Sequence, residues 1–161
     1  MKRFLIIIII IPLLTLEKGH GQEDPVQFTV KEAPEWGNLF KRDSGWFGGD
    51  GIFAIPLNGK ENMENSDTVK NMFLFSDTMF GLIKGEKLQP GFTMVNNSIA
   101  ILDGHEPKES KIQFRVLKDK EGNPVSLFRP QHPVNGPDEY FWLGDGFVNS
   151  VNKALLLRLL R

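Results

Sequence analysis

Two short apolar runs constrain the fold of this chain more than any other feature. Ile52–Leu57 and Met72–Phe75 are each bounded by Gly, Asn or Asp, a pattern typical of β-strands. If the two runs pair antiparallel, the start of the first lies beside the end of the second. Asp50 opens the first run and Asp77 closes the second, so this pairing predicts two neighbouring carboxylates. The glycines around them would let a ligand approach the backbone closely.

Two more strand patterns follow, Met94–Leu102 and Ile112–Leu117. The second alternates apolar and polar residues with a period of two, which is typical of a half-buried strand. The intervening segment Thr78–Thr93 is predicted to be a loop, with Pro90-Gly91 as a turn signal. Four antiparallel strands in chain order form the sheet unit of a β-propeller, in which several such blades surround a channel.

The motif that opens the first strand occurs a second time. Trp142–Val148 repeats Trp46–Phe53 with one glycine fewer, which places Asp145 where Asp50 stands in the first copy. The apolar run Ala154–Leu160 then follows the second copy. Its composition favours a small amphipathic helix, but its place in the repeat favours a strand. The predicted fold class is therefore all-β, a partial propeller of about one and a half four-stranded antiparallel blades.

This reading divides the chain into four segments. Residues 1–21 are predicted to be a signal peptide, 22–44 a lead-in segment, 45–130 the first blade and 131–161 an incomplete second blade. Propellers have roughly 4 to 8 blades, and one and a half blades cannot close a ring. The chain is therefore expected to be a truncated form of a longer protein.

The N-terminus has the layout of a secretory signal. Lys2 and Arg3 precede the apolar run Phe4–Leu16, and small residues follow it. The run is shorter than the roughly 20 residues that a transmembrane helix needs. We therefore expect a secreted or periplasmic protein that meets a membrane only through this segment. A single uncleaved anchor is the alternative.

Composition excludes several classes of function. The formal net charge of −1 gives no electrostatic basis for binding nucleic acid. The absence of cysteine excludes a disulfide framework and a thiolate metal site. His105 and His132 lie in predicted loops without other ligand residues around them, so we predict no metal site and no cofactor.

Three motifs, Trp46–Ile55, Phe73–Gly81 and Asn96–Leu102, resemble an uncharacterised family of exported bacterial proteins. That family is similar in turn to the five-bladed β-propeller glycoside hydrolases, including endo-arabinanase-type enzymes. Such enzymes combine a Gly-rich Asp-Gly opening with a strand that ends in Phe-Ser/Gly-Asp-Thr-Phe. Here these elements are Gly49–Gly51 and Phe75–Phe80. The resemblance covers about the first third of such a propeller.

The resemblance implies that Asp50 and Asp77 are acidic residues of an active site, with Asp145 contributed by the next blade. Hydrolysis of a glycosidic bond needs one carboxyl group to protonate the leaving oxygen and a second one to activate water or attack the sugar. Asp50 and Asp77 match such a pair by topology, and the expected partner is a polysaccharide or oligosaccharide. An Asp beside a Gly is also a common turn element that caps its own backbone.

Aromatic and amide side chains complete the predicted binding site. Trp46, Phe47 and Trp142 offer flat apolar faces on which sugar rings stack, or they form packing between strands. Asn96 and Asn97 are predicted either to contact a polar ligand or to cap the backbone.

Three hypotheses for function follow. The first is a glycoside hydrolase-like exported protein that acts on polysaccharide through the paired carboxylates at the propeller mouth. The second is a non-catalytic carbohydrate-binding propeller that uses the same surface. The third is an inactive remnant of a larger protein.

Overall fold

A computed structural model describes residues 27–60, 68–136 and 139–160. The predicted signal peptide lies outside these residues. The chain divides into two compact units, Met1–Lys31 and Glu32–Arg161, and all helices and strands described here belong to the second unit. Within the described ranges, no helix is both long and apolar enough to cross a membrane.

Short β-strands are the main regular elements of the second unit. In chain order the elements are α1 (Pro34–Leu39), β1 (Ser44–Gly49), β2 (Phe53–Pro56), β3 (Lys70–Phe75), β4 (Thr78–Lys84), β5 (Lys87–Leu88), β6 (Thr93–Val95), β7 (Ser98–Asp103), a 3₁₀ turn (Glu109–Lys111), β8 (Ile112–Arg115), β9 (Leu117–Lys118), β10 (Pro124–Val125), β11 (Trp142–Val148) and β12 (Leu155–Leu160).

The central sheet has the order β2-β3-β7-β8, and every neighbouring pair is antiparallel. These are the four strands that the sequence predicts for one blade, in the predicted order. β11 and β12 form the start of a second antiparallel sheet. β12 is a strand, so the helical alternative for Ala154–Leu160 is wrong. The predicted all-β class is confirmed, and the four-stranded antiparallel sheet agrees with a partial propeller.

The predicted loop Thr78–Thr93 is the main error in the strand assignment. This segment contains β4 and β5, which form a tight hairpin with Ile83 opposite Leu88. Gly85 and Glu86 turn the chain, both with positive φ (54° and 61°). The sequence offers no Asn-Gly or Asp-Gly pair there, which is the usual signal for such a turn. The pairing of Lys84 with Lys87 leaves a two-residue turn, and such a turn requires positive φ at Glu86, which is uncommon for a residue other than glycine.

The sheet formed by β1, β4 and β6 continues the central sheet through a coordinated bend. β4 pairs with β1 on one side and with β6 on the other. The chain passes from β1 to β2, from β3 to β4 and from β6 to β7 within two or three residues. Three long strands therefore bend at the same level, and this bend positions the residues discussed below.

Each face of the central sheet carries one hydrophobic cluster, because side chains alternate along a strand. Leu74 and Phe75 of β3 are fully buried on opposite faces, and burial of such a side chain stabilises a protein by roughly 1.5–3 kcal/mol. The first cluster contains Leu39, Trp46, Phe73, Phe75, Ala100, Leu102 and Ile112. The second cluster contains Ile55, Met72, Leu74, Ile99, Leu143 and Val148. Leu39 shows that the predicted lead-in segment contributes to the core, and Leu143 and Val148 attach β11 to the second face.

Candidate functional site

The bend brings Asp50 and Asp77 together. The backbone N–H of Asp50 donates to the carbonyl of Asp77 (3.1 Å), and the N–H of Ser76 donates to the carbonyl of Asp50 (2.9 Å). The start of the first apolar run thus lies beside the end of the second, as the sequence predicts. The two strands do not end there, however. They continue as β1 and β4, so the two aspartates lie within a longer bent hairpin.

The bend is held by small hydroxyl side chains beneath Asp77. Ser76 Oγ donates to the carbonyl of Leu143 (3.1 Å), and Thr78 Oγ1 donates to the carbonyl of Ser76 (2.7 Å). Thr78 Oγ1 and Ser98 Oγ are 2.9 Å apart and both are buried. Gly51 has φ of +58°, and a Cβ there would lie 2.9 Å from Ser76 Oγ. Side-chain hydrogen bonds and one glycine therefore fix the backbone that carries the carboxylates.

Asp77 is also bonded to the first residue of β11. The indole Nε1 of Trp142 donates to Asp77 Oδ1 (3.0 Å), and 42% of Trp142 is exposed. The ring of Tyr140 lies 5.6 Å from that of Trp142 at an interplanar angle of 57°, and Tyr140 is also exposed. We call these four residues (Asp50, Asp77, Tyr140 and Trp142) the acid–aromatic surface.

Tyr140 is a residue that the sequence analysis missed. It stands two positions before Trp142, and in an extended chain this spacing places both side chains on the same side. The spacing of two between Tyr140 and Trp142 was therefore the sequence signal that could have identified Tyr140.

Asn97 is a structural residue. It is fully buried, its Nδ2 donates to the carbonyls of Phe128 (2.9 Å) and Phe141 (2.8 Å), and its Oδ1 accepts from the N–H of Phe128 (2.7 Å). The Asn97 amide, at the start of β7 in the central sheet, therefore bonds to Phe141, the residue before Trp142. Asn97 was predicted either to contact a polar ligand or to cap the backbone. Its hydrogen bonds are those of a backbone cap, and its complete burial leaves no surface for a ligand to contact.

Asn96 has a different environment from its neighbour. It is half-buried and lines a cavity of about 510 Å³ together with Arg129 and Tyr140. Tyr140 lines this cavity and is also part of the acid–aromatic surface, so the two adjoin each other. Arg129 is a second residue that the sequence analysis missed, since no local motif contains it.

Trp46 does not form a sugar platform. Only 4% of it is exposed, and its ring stacks on Phe114 with centroids 4.4 Å apart. Phe47 is half-buried. The two copies of the motif therefore differ, since the first tryptophan packs in the core while Trp142 faces solvent.

The third predicted acid, Asp145, lies on β11. It stands in a bulge of β11 between Leu143 and Gly146, and its Oδ1 accepts from the N–H of Gly146 (2.7 Å). It lines a mostly apolar cavity of about 590 Å³ with His105 and Phe147, and neither Asp50 nor Asp77 lines this cavity. Asp145 therefore lines a different cavity from the bend that carries Asp50 and Asp77. Among the described residues, no group of three His, Asp or Glu side chains is arranged to hold a metal ion.

The fold and the surface together define an all-β, propeller-like domain in which an exposed and a half-buried acid lie beside exposed aromatic rings. The chain belongs to the family described as a domain of unknown function, DUF5005, which matches residues 34–161. No curated protein matches the sequence. A crystal structure described as "a putative hydrolase from Bacteroides ovatus ATCC 8483" is similar in fold, with a TM-score of 0.50 and 18% identity. The similarity covers 70% of this chain and 30% of that protein.

Proposed function

We propose that the acid–aromatic surface binds polysaccharide and that Asp50 and Asp77 hydrolyse it in the manner of a glycoside hydrolase. The observation that carries this proposal is the hydrogen bond between Trp142 and Asp77 at an exposed surface, with Asp50 on the adjacent strand. One contact thereby joins a flat aromatic face to a carboxylate.

The surface has the chemistry that recognises sugars. Exposed Tyr140 and Trp142 rings provide apolar faces with polar edges. Asp77 fixes the orientation of the Trp142 ring. Among the described residues, Asp77 Oδ2 and the Asp50 carboxylate have no hydrogen-bond partner. These oxygens are therefore available to accept hydrogen bonds from sugar hydroxyl groups.

The paired carboxylates supply the elements of glycoside hydrolysis. One carboxyl group protonates the leaving oxygen, and the other activates water or attacks the anomeric carbon. Because the similarity covers only 30% of the Bacteroides ovatus protein, we assign hydrolysis to a protein in which further sheets complete the site. Binding is assigned to this domain itself. The signal-like N-terminus favours a location outside the cytoplasm, where polysaccharides are encountered.

Substitutions at the surface test binding and hydrolysis separately. We expect Trp142→Ala to lower the affinity for a bound polysaccharide by about tenfold, because it removes the stacking face. We expect Asp77→Asn to retain that affinity, since the Asn carbonyl still accepts from the indole and its Nδ2 can donate to a sugar hydroxyl where Oδ2 accepted from one, but to lower hydrolysis at least about 100-fold. The measurements are affinity electrophoresis across a polysaccharide panel and release of reducing sugar by the longest natural protein that carries the domain.

Asp145→Asn is the matched control, because it neutralises an exposed Asp-Gly carboxylate that lies outside the acid–aromatic surface and keeps the cap on Gly146. It should change neither measurement. If Asp77→Asn lowers binding and hydrolysis equally, or leaves hydrolysis unchanged, the surface is a binding platform and the catalytic assignment fails. If no polysaccharide in the panel is retained and Trp142→Ala changes nothing, the binding assignment fails as well.

A further inference from the structure

The chain contains two Asn-Gly pairs, Asn58-Gly59 and Asn135-Gly136. In such a pair the backbone nitrogen of the glycine can attack the side-chain amide carbon of the asparagine, because glycine has no Cβ to hinder the approach. Asparagine is for this reason one of the chemically labile residues of proteins. Whether a given pair reacts depends on how the fold holds the attacking nitrogen and the amide, and the two pairs differ in this respect.

The fold protects the first pair. The backbone N–H of Gly59 donates to the carbonyl of Pro56 (3.1 Å), so the attacking nitrogen is already bonded. The side-chain oxygen of Asn58 accepts from the N–H of Lys60 (2.9 Å), which fixes the amide group. A Cβ built on Gly59 would lie 2.6 Å from the carbonyl oxygen of Val148, so the backbone has little room to rearrange.

The fold leaves the second pair open. Asn135 is exposed, and the N–H of Gly136 has no hydrogen-bond acceptor among the described residues. No atom beyond the chain neighbours of Gly136 lies within 4 Å of a Cβ built on it. The attacking nitrogen of this pair is therefore not held by the fold, and the surroundings leave room for a ring to close.

The amide of Asn135 also takes part in the turn that leads to Tyr140. Glu139 Oε1 accepts from Asn135 Nδ2 (3.1 Å), and Glu139 Oε2 accepts from the backbone N–H groups of Val134 (2.6 Å) and Asn135 (3.3 Å). The N–H of Glu139 donates to the carbonyl of Gly136 (3.2 Å). One carboxylate thus holds this turn, and the next residue is Tyr140 of the acid–aromatic surface.

We propose that Asn135 is a site of spontaneous deamidation and that the reaction releases Glu139 from this turn. The nitrogen of Gly136 loses its proton to hydroxide and forms a bond to Cγ of Asn135, and Nδ2 takes up a proton and leaves as ammonia. Water then opens the resulting succinimide ring to aspartate or isoaspartate. The hydrogen bond between Asn135 and Glu139 engages the leaving nitrogen and not the carbon that is attacked.

The product reverses the contact that Asn135 makes with Glu139. In aspartate an oxygen replaces Nδ2, which lies 3.1 Å from Glu139 Oε1, so a hydrogen bond becomes a contact between two carboxylates, which repel each other. In isoaspartate the main chain also passes through the former side chain, which lengthens it. The turn before Tyr140 is then held less tightly. This inference does not depend on the function proposed for the acid–aromatic surface.

The rate of deamidation in the full chain provides the first test. The protein is incubated at pH 8, with and without urea, and each asparagine is followed by mass spectrometry of peptides made with pepsin at acid pH, where ring closure stops. In the folded protein Asn135 should exchange NH for O at least about tenfold faster than Asn58, because the bond from Gly59 to Pro56 must first break. In urea the two rates should be similar.

The variant Asn135→Asp tests the consequence for the turn. Chymotrypsin should cleave it after Tyr140 at least about fivefold faster than the parent, because the turn has lost one hydrogen bond. Asn58→Asp is the matched control, since its carboxylate still accepts from Lys60, and it should be cleaved as the parent is.

Three outcomes would overturn the proposal. The first is that Asn135 keeps its amide as long as Asn58 does in the folded protein. The second is that the ratio of the two rates is the same with and without urea, since the fold would then not distinguish the pairs. The third is that Asn135→Asp is cleaved no faster than the parent, which would mean that Glu139 is not released.

Discussion

Asn97→Asp is expected to lower the free energy of unfolding by about 4 kcal/mol at neutral pH. The substitution keeps the shape of the side chain but replaces Nδ2 with an oxygen. That oxygen would face the carbonyls of Phe128 and Phe141, which lie 2.9 Å and 2.8 Å from the present donor. Two buried hydrogen bonds become repulsive contacts in a fully buried site. Urea denaturation followed by circular dichroism measures the loss.

The adjacent Asn96→Asp is the matched control. Asn96 is half-buried, and its backbone N–H donates to Ser126 Oγ, so its side chain does not join the central sheet to β11. We expect a change within about 0.5 kcal/mol. Equal losses in the two variants would contradict the structural role assigned to the Asn97 amide.

The loss in Asn97→Asp should also depend on pH in a defined direction. Burial and facing carbonyls raise the pKa of the introduced carboxyl group above its unfolded value of about 4. The folded state then binds the proton more tightly, so stability falls as the pH rises through the interval between the unfolded and folded pKa values. The deficit relative to the parent should therefore be smaller at pH 4 than at pH 8. Asn96→Asp should show no such trend.

Local pattern predicted the strands and the pairing of Asp50 with Asp77, because apolar runs and turn residues are encoded within a few positions. The contact between Asp77 and Trp142 could not be predicted in the same way. It joins residues 65 positions apart and depends on how β11 packs on the central sheet. The sequence could not distinguish Trp46 from Trp142 for the same reason, because the two residues stand at the same place in the two copies of the motif. Only Trp46 is covered by Phe75 and Phe114.

Asn97 shows why a side chain with two plausible roles needs the fold to decide between them. Its three hydrogen bonds reach residues 31 and 44 positions away, and neither distance is visible in the local motif. The result bears on function, because the clamp on Phe141 holds the residue before Trp142. A structural asparagine thus positions the aromatic ring on which sugar binding is proposed to depend.

Gly146→Ala is expected to lower the free energy of unfolding by about 3 kcal/mol, because it inserts a methyl group where β11 is packed most tightly. A Cβ at Gly146 would overlap the carbonyl oxygen of Leu156 and lie 2.8 Å from Leu157 Cδ2 and 3.0 Å from Ile55 Cδ1. The first obstacle is backbone of the paired strand β12, which cannot move without disrupting the β11–β12 ladder. Urea denaturation measures the loss, and polysaccharide binding should weaken with it because β11 carries Trp142.

Gly37→Ala is the control for the same chemical change. Gly37 lies in α1, has no atom within 4 Å of its Cβ position and does not have a positive φ. Alanine there should raise the free energy of unfolding by up to about 1 kcal/mol, since glycine is the poorer helix former. Opposite signs for the two variants would confirm that β11 is fixed against Ile55 and β12. A neutral Gly146→Ala would instead mean that the β11–β12 hairpin can shift away from the central sheet, and the position of Trp142 beside Asp77 would then not be maintained.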